Sequence, residues 1–215
     1  SYTPPGADTQ QGDDAGSESD EPCEQNWITN GDCEGEDATC FVSYNGDEGV
    51  DVNRIEEGVG VNGSRGIKVH AINNAPNEWD TQFFVYTPDH VWQAGEHYRF
   101  SMMVRADKPA NVSPQSHVTP HDYIYWNILS GGFDVTETWK ELSYDGVITS
   151  DQAGASGLQT IAFNLNNDKT LENNYYFDNI VWESLDESTV NNNYEISVRN
   201  NPREVSPTGR FTVSN

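Results

Sequence analysis

The chain has 215 residues, the length of one large β-type domain, and its 35 acidic residues against 11 basic ones give a formal net charge of −24. Phosphate backbones and anionic lipid surfaces are bound mainly through Lys and Arg. The charge therefore excludes nucleic acid and anionic membranes as primary ligands. Because the sequence contains no run of about 18 apolar residues, it also predicts no membrane insertion.

Residues 1–25 are predicted to form a disordered acidic linker. They include seven acidic residues and no basic ones, with few apolar side chains between them. Such a segment cannot bury enough apolar surface to offset the entropy of ordering. From residue 26 the composition changes, and apolar residues recur at strand spacing to about residue 185.

The segment from 26 to 185 is therefore the predicted folded domain. The alternation typical of half-buried strands is clearest at 97–105, where Tyr98, Phe100, Met102 and Val104 alternate with more polar neighbours. Similar patterns occur at 66–72, 81–86, 122–129, 139–144, 158–165 and 175–182. No window has helical spacing, so the sequence predicts an all-β chain folded as a two-sheet β-sandwich of jelly-roll type.

Residues 186–215 carry only weak strand patterns. They are predicted to be a C-terminal extension or a connection to a neighbouring module. The three cysteines, Cys23, Cys33 and Cys40, have no zinc-type spacing. Their separation leaves two alternatives open, a Cys33–Cys40 disulfide or three free thiols.

The sequence contains none of the common catalytic motifs for nucleophilic, metallo- or phosphate chemistry. Glycoside hydrolysis needs two carboxylates at a defined separation, and 35 acidic residues do not single out a pair. What stands out is polar aromatic chemistry, with six Trp and ten Tyr in an acidic chain. Aromatic faces beside amide groups suit the apolar faces and hydroxyl groups of sugars.

Five segments resemble motifs of the carbohydrate-binding modules of families 4, 9 and 22, and they occur in the order of that family. They are NWITNGDCE at 26–34, GSRGIKV at 63–69, QAGEHYRFSMMV at 93–104, TETWKELS at 136–143 and YFDNIV at 176–181. The resemblance spans roughly three quarters of the chain. It implies a β-sandwich of the galactose-binding-domain-like type that binds polysaccharide without catalysing a reaction.

The same resemblance implies a β-1,4-xylan chain held in a cleft on one sheet. The implied setting is a secreted glycoside hydrolase family 10 xylanase, extracellular or at the cell surface, with the module covalently linked to its catalytic domain. The alternatives are a module for β-glucan (mixed-linkage, β-1,3 or amorphous cellulose), a stand-alone glycoside hydrolase, and a structural or adhesive domain that binds protein.

Eight residues are candidates for the ligand site. The resemblance places Trp79 as a stacking platform and Gln82, Gln115, His117 and Asn164 as polar contacts. Strand alternation in 122–129 puts Tyr123 and Tyr125 on the open face. It leaves Trp126 either in the core or as a second platform.

The resemblance further implies a structural Ca²⁺ that ties the opening motif to the closing one. Its anchors here would be Glu34 and Asp178. Ca²⁺ takes six to eight oxygen ligands, so carbonyl groups of residues 62–65 and water are expected to complete the shell.

Overall fold

The structure, a computed structural model, describes residues 25–45, 50–52, 55–125 and 128–185. These residues form two antiparallel sheets that face each other. The first sheet has, in spatial order, β11 (Lys140–Val147), β7 (His97–Ala106), β13 (Asn173–Leu185), β5 (Gly66–Ala71) and β4 (Ile55–Glu56), with β1 (Gln25–Asn26) paired to β13. The second has β10 (Phe133–Val135), β8 (Ala110–His117), β12 (Thr160–Asn164), β6 (Thr81–Tyr86), β2 (Phe41–Asn45) and β3 (Val50–Val52), with β9 (Tyr123–Tyr125) paired to β8.

The predicted all-β sandwich is confirmed. Within the described residues the only helical element is a 3₁₀ turn at Val61–Gly63. None of the described helices is long and apolar enough to cross a membrane. Gln25, placed in the linker by the sequence prediction, pairs with Ser184 in the first sheet. The rest of the predicted linker and the extension 186–215 lie outside the described residues.

The clearest differences between the predicted and the observed strands concern β9 and β8. The pattern at 122–129 forms a strand only over β9, three residues long. Strand β8 was not predicted, because its eight residues include Pro114 and few large apolar side chains. It lies inside the second sheet, where β12 and β10 supply its hydrogen-bonding partners.

Aromatic rings fill the space between the sheets. Phe83 stacks on Phe177 with ring centroids 4.3 Å apart and faces Phe163 at 6.3 Å. Trp92 stacks on Trp182 at 5.1 Å, and all five side chains are fully buried. These rings supply much of the apolar area that stabilises the sandwich.

The two described cysteines, Cys33 and Cys40, are free and buried. The disulfide alternative is therefore wrong, while Cys23 lies outside the described residues. Burial raises the pKa of the Cys33 thiol to about 12, and the nearby Asp178 carboxylate acts in the same direction. Cys33 is thus a core residue held as an unreactive thiol.

Replacing Phe163 by Ala should lower the free energy of unfolding by about 3–5 kcal/mol, because it leaves a cavity between the sheets. Urea denaturation measures the loss. Val147→Ala is the control, since Val147 is 48% exposed and should change the unfolding free energy by less than about 0.5 kcal/mol. Equal effects of the two substitutions would contradict the described core.

Candidate functional site

Polar side chains occupy the outward face of the second sheet at its centre. Gln82 on β6 lies opposite Asn164 on β12, and Asn164 lies opposite Ser113 on β8. Two residues further along β12 and β8, Gln115 lies opposite Ala162 on the same face. Because successive side chains alternate between faces, these groups point away from the core.

A cavity of about 410 Å³ opens on this face. Six described residues line it: Trp79, Gln82, Gln115, His117, His121 and Tyr123. Five of them are among the eight candidates from the sequence. The structure therefore brings together residues that are up to 44 positions apart in the sequence.

Aromatic side chains border the cavity. Trp79 lies in the loop between β5 and β6, where the Asn77 N–H donates to Asp80 Oδ2 at 2.9 Å and closes the turn. Its side chain is 45% exposed, and Tyr123 on β9 is 48% exposed. Exposed rings beside a polar floor can stack on the CH face of a sugar.

The floor of the cavity is made of hydrogen-bonded amide and imidazole groups. Gln82 Nε2 donates to Asn164 Oδ1 at 2.8 Å and to Gln115 Oε1 at 3.3 Å. His117 Nε2 donates to the same Gln115 oxygen at 3.0 Å. Asn164 is fully buried behind Gln82 and does not line the cavity. It positions the Gln82 amide.

His117 is 2% exposed. Burial lowers the pKa of its imidazole to about 4, and the neighbouring His121 acts in the same direction. The ring is therefore neutral at neutral pH. Its Nδ1 atom is buried and has no hydrogen-bond partner among the described residues.

His121 is the lining residue that the sequence prediction missed. Its backbone has φ 75°, a left-handed conformation that is uncommon outside glycine. This turn sets its ring against Phe84, with centroids 4.7 Å apart, and against Tyr44 at 5.2 Å. Its position between His117 and Tyr123 in the sequence was the available signal.

The structure contradicts the placement of Tyr125 at the site. Tyr123 pairs with His117, but Tyr125 pairs with Ser116, because the register shifts between the two β8 residues. Cross-strand partners share a face of the sheet, so Tyr125 follows Ser116 towards the interior. The Tyr125 hydroxyl is buried without a described partner. Trp126 lies outside the described residues.

The two carboxylates predicted to anchor calcium lie near each other, away from the cavity. Asp178 on β13 is buried, and its Oδ2 accepts from the Val61 N–H at 2.8 Å and the Ser64 hydroxyl at 3.3 Å. Glu34 Oε1 accepts from the Arg65 N–H at 3.2 Å. Burial raises the pKa of Asp178, and the Glu34 carboxylate acts in the same direction.

These groups fit a hard cation in part. Two neighbouring carboxylates, one of them buried, are suitable ligands for Ca²⁺. The loop at 62–65 meets them with N–H and hydroxyl donors, whereas carbonyl ligands were expected. Among the described residues there is no group of three or more His, Cys, Asp or Glu side chains placed to hold a metal. Carbonyl groups and water would have to supply the remaining ligands.

No protein-family model matches the sequence. A search of curated proteins also finds no match. Solved structures do match. A CBM4 structure is 17% identical, with a TM-score of 0.53, covering 74% of this chain and 99% of its own. The CBM22-1 xylan-binding domain of Xyn10C from Paenibacillus barcinonensis is 13% identical, with a TM-score of 0.52, covering 75% and 95%.

The CBM22-2 xylan-binding domain of the same protein is 14% identical, with a TM-score of 0.50, covering 72% of this chain and 98% of its own. At these identities the likeness concerns the fold. The chain thus has the β-sandwich fold of the CBM4 and CBM22 carbohydrate-binding modules, as the sequence motifs predicted.

The buried His117 should make the protein less stable as the pH falls from about 6.5 to about 4. In this window the unfolded chain binds a proton at His117 and the folded protein does not, so the unfolding free energy decreases with falling pH. Urea denaturation across this range should show a shallower decrease for His117→Gln than for the wild type. Parallel profiles would contradict the described burial of the imidazole.

Proposed function

We propose that this chain is a noncatalytic carbohydrate-binding module that holds a β-1,4-xylan chain on the outward face of the second sheet. One observation carries the proposal: the exposed Trp79 ring stands beside a floor of in-register amide and imidazole groups. Stacking on the ring would hold the apolar face of a sugar. The amides both donate and accept, as sugar hydroxyls require.

The lining of the cavity supports a binding role without catalysis. None of the described lining residues is a carboxylate, whereas glycoside hydrolysis generally uses two carboxyl groups on either side of the scissile bond. The lining also lacks Lys and Arg among the described residues. In a chain with a net charge of −24, such a site favours neutral glycans over acidic ones.

Xylan is the preferred ligand of the proposal. The motifs resemble families that bind xylan, and two solved structures with this fold are named xylan-binding domains. β-Glucan is the alternative, because its β-1,4-linked rings present similar faces and hydroxyls. We further propose a secreted parent protein of the family 10 xylanase type, which this module would target to its substrate.

Isothermal titration with xylohexaose tests the ligand directly. The expected dissociation constant is on the order of 10⁻⁵ to 10⁻³ M, because a few stacked rings and hydrated hydrogen bonds must offset the ordering of the chain. Affinity electrophoresis with soluble xylan, barley glucan, laminarin and hydroxyethylcellulose separates xylan from β-glucan. Release of reducing sugar by this chain alone would show an enzyme instead.

Trp79→Ala should weaken xylohexaose binding by about 1–3 kcal/mol, because it removes a large apolar contact. The melting temperature should barely change, since the Trp79 side chain is 45% exposed. Trp139→Ala is the matched control. Trp139 immediately precedes β11 of the first sheet and lies 5.4 Å from the Arg105 guanidinium, so its loss should leave binding intact. Normal binding by Trp79→Ala would show that the platform is misassigned.

We also propose a structural Ca²⁺ held by Glu34 and Asp178, which would join the opening segment to β13. A metal that binds only the folded state stabilises it. At a calcium concentration about 100 times the dissociation constant, the gain is about 3 kcal/mol, or roughly 5–10 °C in the melting temperature.

EDTA should therefore lower the wild-type melting temperature by several degrees, and excess CaCl₂ should restore it. Asp178→Ala should not respond to either, whereas the exposed Asp151→Ala should behave like the wild type. Differential scanning calorimetry measures each case. An unchanged wild-type midpoint in EDTA, with no calcium found in the purified protein, would exclude the ion.

A further inference from the structure

A series of side-chain hydrogen bonds on the second sheet begins at Asp134 on β10. Asp134 Oδ1 accepts from Asn111 Nδ2 at 3.0 Å, and Asn111 Oδ1 accepts from Asn167 Nδ2 at 2.8 Å. Asn167 Oδ1 in turn accepts from the Ser113 hydroxyl at 2.9 Å. These bonds lead from the sheet edge towards the cavity.

This series of hydrogen bonds continues to the floor of the cavity. Ser113 Oγ accepts from Asn164 Nδ2 at 3.4 Å, and Asn164 Oδ1 accepts from Gln82 Nε2 at 2.8 Å. Gln115 Oε1 accepts from both Gln82 Nε2 and His117 Nε2, at 3.3 and 3.0 Å. Eight side chains are thus linked without a break.

The Asp134 carboxylate determines which atom donates and which accepts in every hydrogen bond of the series. An ionised carboxylate only accepts, so Asn111 must turn its amide nitrogen towards Asp134 and its oxygen towards Asn167. Each amide side chain has one donating nitrogen and one accepting oxygen. Once one of the two faces a fixed partner, the other must face the next side chain, so the orientation of Asn111 also fixes that of Asn167. A hydroxyl that donates to Asn167 can only accept from Asn164, and the direction continues unchanged through Gln82.

As a result, three atoms of residues that line the cavity have a defined hydrogen-bonding character. Gln82 presents Oε1 as an acceptor, Gln115 presents the two N–H groups of Nε2 as donors, and His117 presents Nδ1 as an acceptor. None of the three atoms has a hydrogen-bond partner among the described residues. A buried acceptor such as Nδ1 costs free energy while unpaired, so a ligand that donates to it gains affinity.

We propose that this acceptor–donor–acceptor row recognises two adjacent free hydroxyl groups on a neutral sugar ring. This inference rests on the proposed function and specifies which glycans the site accepts. One hydroxyl donates to Gln82 Oε1 and accepts from Gln115 Nε2. Its neighbour accepts from the other Gln115 N–H and donates to His117 Nδ1.

The row discriminates against substituted rings. An oxygen that carries an acetyl or methyl group can still accept, but it has no proton to donate to Gln82 or His117. The site would then hold one unpaired buried acceptor, which costs more than the loss of an exposed contact. Unsubstituted stretches of a xylan chain should therefore bind more tightly than stretches acetylated at the adjacent oxygens.

Titration calorimetry with xylohexaose and with its O-methylated form tests the inference. Wild-type protein should bind the methylated ligand at least three- to tenfold more weakly, the effect of losing one neutral hydrogen bond. His117→Phe keeps a ring at this position but removes both ring nitrogens, and with them the acceptor at Nδ1. It should weaken xylohexaose binding by a similar factor and lose less on methylation than the wild type does.

The pH dependence of the affinity distinguishes a His117 that contacts the ligand from one with only a structural role, because a structural role would leave the affinity unchanged. Wild-type affinity should be constant from pH 8 to 5 and about twofold weaker by pH 4, where half of the His117 imidazole is protonated and Nδ1 can no longer accept. Among the described residues, the titratable groups that face His117 are His121 and Tyr123. Repeating the profile in His121→Gln and Tyr123→Phe backgrounds separates their contributions.

His70→Gln on β5 of the first sheet is the matched control and should bind like the wild type. The ligand comparison on wild-type protein needs no variant, so it decides the question even if His117→Phe does not fold. Equal wild-type affinity for the free and methylated ligands would overturn the recognition of adjacent hydroxyls but leave the proposed function intact. A wild type that binds no glycan at pH 7 would overturn both this inference and the proposed function.

Discussion

The site depends on the antiparallel register of β6, β12 and β8. This register puts Gln82 opposite Asn164 and Asn164 opposite Ser113, so that polar groups meet on the outward face. The same register stacks Phe83 beside Phe163 on the inner face. A slip of one residue would exchange the two faces. The core that stabilises the sandwich therefore also fixes the geometry of the cavity floor.

The electrostatic character of the cavity differs from that of the chain as a whole. The protein has a net charge of −24, yet the described lining carries no carboxylate. Burial holds His117 neutral, with a pKa of about 4. Asp134 acts at a distance, through the orientation of the hydrogen bonds that start from it. Neutral donors and acceptors of fixed direction suit hydroxyl groups, whose directionality gives selectivity without net charge.

Much of this arrangement could be predicted from strand alternation and motif order. Alternation predicts the buried face of β7, and the family resemblance names Asn164, which lies opposite Gln82 on the outward face of β12. The alternation failed where local backbone geometry overrides it. The register shift opposite Ser116 turns Tyr125 inwards, and no residue pattern signals such a shift. His121 enters the cavity through a left-handed turn, which sequence spacing does not reveal.

Strand β8 shows a different limit. It carries Gln115 and His117. Because it contains Pro114 and is largely polar, it lacks the alternation of apolar residues that predicts a strand. Pairing with β12 and β10 stabilises β8 as a strand, although its residues have little intrinsic preference for the strand conformation. The family resemblance identified its two binding candidates, although the residues themselves did not predict the strand.

The most direct test of the account is a nuclear magnetic resonance titration of ¹⁵N-labelled protein with xylohexaose. If the outward face of the second sheet holds the glycan, the largest shifts should occur at the Trp79 indole N–H and the side-chain amides of Gln82 and Gln115. The Trp139 indole should stay unchanged and serve as the internal reference. Shifts confined to the first sheet, or no shifts with any glycan of the panel, would contradict the account.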